Sequence, residues 1–204
     1  MKILLKILIV MILFIVTINA SQHNKEAYEL SAPKDWRKET INFPLDFAPE
    51  LKYQGFEELR FAPGMFKPES DTYFTYVFFW YLNGSEKITS ETLEKDLTLY
   101  FKGLCKAVGK ERNLNIDLSK VKSIITKQPL TVNNKKKYQS LYQAIINTYD
   151  PFNKGEAIKL NLEITVVNTT NQNKTILFFC VSTKPFNSEV WTQLSGIRNT
   201  FSIN

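Results

Sequence analysis

Glu57 and Glu58 stand side by side in GFEELRF (55–61), with Arg60 two residues further on. Two carboxyl groups facing each other across a cleft, roughly 5 to 10 Å apart, can hydrolyse a glycosidic bond. Adjacent residues of a strand point to opposite faces, so only one of this pair can enter a given cleft. Glu58 and Arg60 share a face and can pair. The same spacing fits an edge salt bridge near a turn, a ligand contact, or a hydrolase that recruits Asp46, Asp71 or Asp150 as its second carboxylate.

Other chemistries find fewer residues. His23 is the only histidine of the chain, and it falls just after an apolar leader. That removes a Ser-His-Asp triad, a Cys-His pair and a multi-histidine metal centre. No glycine loop of the phosphate-cradling kind occurs, and Asp46, Glu50 and Asp71 lack the spacing of a calcium loop. No cofactor or resident metal is expected. Cys105 and Cys180 are the two cysteines. They are either buried thiols or, in an oxidising compartment, a disulfide.

These residues need a scaffold. TYFTYVFFWYL (72–82) is the strongest strand, with Tyr73, Thr75, Val77, Phe79 and Tyr81 on one side and Phe74, Tyr76, Phe78 and Trp80 on the other. Apolar residues on both sides mark a central strand covered twice, or one that lines a cavity. On the cavity reading, Glu58, Arg60, Tyr73, Tyr76, Trp80 and Tyr81 line a ligand site. On the other, the aromatics are core. Shorter strands are expected at 41–43, 45–47 and 57–61.

Leu93, Leu97, Tyr100, Phe101, Leu104 and Val108 recur at helical spacing. The helix is expected to be capped by Ser90 and ended by Gly109. Strands follow at 120–132, 138–150, 157–168 and 175–183, joined by short polar turns as in an antiparallel meander. A last helix carries Val190, Trp191, Leu194, Ile197 and Phe201 on one side, with Asn187 or Ser188 as its cap. The sum is an α+β domain: a strongly curved antiparallel sheet of about seven strands packed against two helices.

The leader sets the address. Lys2 and Lys6 precede or interrupt an apolar run that ends at Ala20. This is the pattern of a secretory signal peptide over residues 1–20. The apolar core, Ile7 to Ile18, is shorter than the ~20 residues of a spanning helix, the other reading being an uncleaved anchor. Residues 21–40 are polar and read as a flexible lead-in, and 41–204 as one α+β domain. Losing Lys2 and Lys6 lowers the formal charge of +6 to +4. That is ordinary for solubility, and the lysines are too dispersed for nucleic acid. The mature product is expected in the periplasm or outside the cell, without stable membrane insertion. Asn83-Gly84-Ser85, Asn168-Thr169-Thr170 and Asn173-Lys174-Thr175 match glycosylation acceptors, a short and common pattern.

The strand pair at 157–183, followed by a short helix ending near Phe201-Ser202, resembles the close of the Mog1/PsbP-like fold. That resemblance covers about 50 residues. It implies a small non-catalytic binding or assembly factor. The block WRKETINFPLDFAPELKYQGFEELRFAPGMF (36–66) resembles a stretch shared among exported bacterial proteins of unassigned function. Neither carries catalytic residues. The expected function is therefore an exported non-catalytic domain that binds a small ligand or a partner protein. The alternatives are a carboxylate-based hydrolase and a structural or assembly factor of the cell envelope. N-terminal sequencing of the exported protein should read SQHNK, beginning at Ser21; an intact Met1 would leave the apolar run as an anchor.

Overall fold

The computed structural model describes residues 28–169 and 173–203. The leader, its cleavage point, His23 and the centre of the turn at 170–172 lie outside the described residues. The chain runs β1 (Tyr28–Glu29), β2 (Arg37–Phe43), β3 (Gly55–Phe61), β4 (Tyr76–Asn83), α1 (Ser90–Glu111), β5 (Lys122–Gln128), β6 (Tyr138–Tyr149), β7 (Ala157–Val167), β8 (Lys174–Ser182), α2 (Val190–Thr200) and β9 (Ser202–Ile203). Two compact units result. One spans Ala32–Asn199 and contains the main sheet. The other joins the described residues 28–31 to 200–203. In it β1 pairs antiparallel with β9, Tyr28 opposite Ile203, and Ser31 exchanges two hydrogen bonds with the Thr200 hydroxyl, at 3.1 and 3.0 Å.

The main sheet has seven antiparallel strands in the order β2-β3-β4-β8-β7-β6-β5. Two meanders, β2 to β4 and β5 to β8, meet where β4 pairs with β8. The chain crosses from the centre to the far edge through α1. Tyr76, Phe78, Trp80 and Leu82 of β4 face the main core together with Leu177, Phe179 and Val181 of β8 and Leu93, Leu97, Tyr100 and Phe101 of α1. Phe78 stacks on Phe179 at 4.2 Å between centroids and on Tyr100 at 5.8 Å. Burying one such ring stabilises the fold by roughly 2 kcal/mol before entropy is charged against it.

The second helix serves the other face. Trp191, Leu194 and Ile197 are its buried residues, the Leu194 carbonyl accepts from Cys180 Sγ at 3.6 Å, and Arg198 reaches Glu163 of β7. Cys180 and Glu163 sit opposite each other across the β7–β8 ladder, on the side away from Phe179. The two helices therefore lie on opposite faces of the sheet. No helix among the described residues is long and apolar enough to cross a membrane.

Several local expectations are corrected. Residues 37–40 are not a loose lead-in but most of β2, an edge strand whose exposure on both faces explains its polar sequence. Trp36, just before it, is buried. The segment Leu45 to Phe47, expected as strand, is a turn following the cis Phe43–Pro44 bond. Tyr73 to Thr75 precede β4 instead of opening it, because Phe74 takes a φ of 47°. The α1 cap is Thr89, not Ser90. Its hydroxyl accepts from Thr92 N, and Thr92 Oγ1 accepts from Thr89 N. Such a box contributes about 1 kcal/mol.

Gly109 is buried inside α1 and does not end it. Asn113, at a φ of 56°, supplies the left-handed residue beyond the helix end. Gly103, also buried, lets α1 approach the 45–51 turn, since a Cβ there would lie 2.1 Å from the Phe47 carbonyl oxygen. The obstacle is backbone and cannot swing aside. Gly103→Ala should cost about 1–3 kcal/mol, measured by urea denaturation. At Gly196 a Cβ would meet nothing within 4 Å, so alanine there should be tolerated without loss.

Candidate functional site

The two adjacent carboxylates have opposite fates. Glu57 points into the core under α1, and Glu58 points to the other face. Glu57 is fully buried. Its Oε1 accepts from Tyr100 OH at 3.0 Å and from Trp80 Nε1 at 3.3 Å. Its Oε2 is buried with no hydrogen-bond partner among the described residues. Burial pushes its carboxyl up to about 8, against a smaller opposing pull from those two donors. Near neutral pH the acid is uncharged. Burial likewise raises the Tyr76 and Tyr100 hydroxyls, with the Glu57 carboxylate adding to the effect.

Glu58 makes the pair expected with Arg60: Arg60 Nη2 meets its Oε1 at 2.5 Å. A partner that sequence reasoning missed is Lys38, whose Nζ is 3.2 Å from Oε2. Lys38 is not directly opposite Glu58 in the ladder; it pairs with Arg60. Finding this contact required knowing that residues 37–40 are strand.

The aromatics expected around a ligand do not share one cavity. Tyr76 and Trp80 are core. Tyr81 stacks on Phe56 at 5.1 Å, with Lys174 Nζ 5.2 Å from its ring. Tyr73 donates to Asp150 Oδ2 at 2.6 Å. Asp150 is itself saturated: Asn153 Nδ2 donates to the same oxygen, and Phe152 N to Oδ1 at 2.8 Å. It holds the β6–β7 turn together. Asp46 and Glu50 are exposed, and Asp71 pairs at the surface with Lys184, 3.0 Å away.

Cys105 and Cys180 are free, buried thiols. Cys105 Sγ lies 3.3 Å from Thr148 Oγ1 on the α1 side, and Cys180 Sγ faces α2. The sheet stands between them, so the disulfide that export would permit is not made. Burial pushes the Cys180 thiol up to about 12, which leaves it unreactive. Among the described residues, no group of three or more His, Cys, Asp or Glu side chains is placed to hold a metal ion.

A concavity among the described residues lies elsewhere, between the 63–72 turn and the start of α2. Two adjoining depressions, about 740 and 440 Å³, share Thr72 and Gln193. The first is walled by Asp71, Lys184, Ser188 and Glu189, and the second by Trp36, Pro63, Lys67 and Ser70. Gly64 allows the turn to close, because a Cβ there would lie 1.9 Å from Ser70 Oγ. The opposite wall is tied down by Trp191 Nε1, which donates to the Lys184 carbonyl at 3.1 Å, and by Thr183 Oγ1, which donates to the Tyr73 carbonyl at 2.9 Å. The Pro63-Gly64 turn was readable from sequence; its meeting with residues 184–193 was not.

Comparison with protein-family models and with curated proteins finds no match.

The burial of Glu58 and the exposure of Asp71 set their two salt bridges apart. Removing one member of a buried pair leaves its partner uncompensated, whereas an exposed pair is screened by water. Glu58→Ala should destabilise the domain by roughly 3 kcal/mol. Asp71→Ala should leave the denaturation midpoint unchanged.

Proposed function

We propose that the chain is an exported, non-catalytic domain that binds an extended segment of a partner protein in the groove shared by Thr72 and Gln193. The observation that carries this reading is the contrast between core and groove. The aromatic strand expected to line a small-molecule pocket is packed solid against α1, α2 and its neighbours. The space at the rim is instead open and of mixed polarity, with hydroxyl, amide and charged groups set beside Trp36, Pro63 and Val190. Small-molecule sites are enclosed and mainly apolar. An open groove of mixed polarity on a pinned frame suits a chain laid along it, whose backbone meets the polar groups and whose side chains meet the apolar ones.

The leader at 1–20 supports export, and the resemblance of the C-terminal strand and helix to non-catalytic binding folds agrees with it. The placement of the carboxylates favours this reading over a hydrolase. Glu57 and Glu58 lie on opposite faces, Asp150 is consumed by its own turn, and Asp71 stands at the groove beside a lysine.

A photo-crosslinking residue placed at Thr72 or Gln193 should capture the same protein from both positions in intact cells. The same residue at Thr126, on the far edge strand, should not. Capture at all three positions alike, or at Thr126 alone, would contradict the groove.

A further inference from the structure

We propose that Glu57 is a proton-operated latch for α1: its neutral carboxyl fits the closed cluster between β3 and Tyr100 of the helix, and loss of the proton draws water into that cluster and loosens α1 from the sheet. Three features of the geometry carry this. The side chain is enclosed completely, in a cluster where Trp80 lies 5.7 Å from Phe43, 5.9 Å from Tyr53 and 6.0 Å from Tyr100. Among the described residues, one of its oxygens is bonded twice and the other not at all. One of its two hydrogen-bond donors belongs to the helix and the other to the sheet.

Among the described residues, no cation pairs with Glu57. From β4 come Trp80 and Tyr76, from α1 comes Tyr100, and from β2 comes Glu39, whose negative charge adds repulsion and whose own partner is Arg37 of the same strand, 3.6 Å away. At the edge of the same cluster Tyr53 donates to Asp96 of α1. An ionised carboxylate here would keep its two hydrogen bonds and lack any compensating charge. Water must reach it, and one element has to yield. The strands β3 and β4 are each held by ladders on both sides. The helix is held by side chains alone over this part of the sheet, so α1 gives way.

The sign follows from the direction of the shift. The folded chain holds this proton more tightly than an unfolded one, so the stability it confers is full below the ordinary carboxylate range. That stability is lost progressively as pH rises towards about 8. Tyr76 and Tyr100 are both pushed upward, away from this window, and do not compete with it.

Amide hydrogen exchange of the full chain tests the latch between pH 6.5 and 9.5, with rates corrected for intrinsic base catalysis. The expected result is a more than tenfold loss of protection in α1 around Leu97 to Leu104, accumulating as pH rises towards about 8 and levelling off above it, with α2 unaffected. In Glu57→Gln, which keeps a neutral acceptor for Tyr100 and Trp80, the α1 profile should be flat. Constant protection of α1 in the unmodified protein would overturn the proposal. So would equal loss in α1 and α2, or the same loss in Glu57→Gln. Should Glu57→Gln not fold, the comparison of α1 with α2 in the unmodified chain decides.

Discussion

A strand that is apolar on both faces cannot sit at the surface of anything, and β4 is such a strand. Tyr76 to Leu82 are buried but for the partly exposed Tyr81, and a sheet built around β4 has to be covered twice. The two helices divide that work. One follows β4 and crosses over the main core; the other follows β8 and returns over the opposite face. Pairing β4 with β8 puts the two most apolar strands together, stacking Phe78 on Phe179 and Phe79 on Phe178. The rest of the sheet spreads outward to polar edges at β2 and β5.

This double cover decides the fate of the reactive groups. Whatever points off the central strands is enclosed, so Glu57 becomes a neutral acid among aromatic rings and each cysteine is sealed on its own side. Alternation along β3 sends Glu58 the other way, where Arg60 and Lys38 neutralise it. A carboxylate pair that looks catalytic in one dimension is thus split by the sheet itself. At the rim, where the 63–72 turn meets the segment leading into α2, the surface opens into a groove.

The main architecture was legible because its signals are periodic. Alternation at 157–168 and the apolar run at 175–183 match β7 and β8 within a residue, and the 3.6-residue recurrence of Leu93, Leu97 and Tyr100 gave α1. The Glu58–Arg60 pair was legible too, since it needs only one strand. The misses share a physical cause. An edge strand exposed on both faces, such as Arg37 to Thr40, carries no hydrophobic period. A cap at Thr89 instead of Ser90 turns on backbone angles, not composition. The side of the sheet on which each cysteine lies, and the distant segments that wall the groove, depend on strand order, which no local pattern encodes.

The central claim is that covering both faces of the sheet forces a carboxyl group to be neutral in its core. The protonation of Glu57 at pH 7, read from its side-chain carboxyl carbon shift in a glutamate-labelled sample, tests this most directly. The account predicts the shift of a carboxylic acid, moving to that of a carboxylate only near pH 8. A carboxylate shift already at pH 6 would mean that water or a cation reaches Glu57, and that the core is not closed as described.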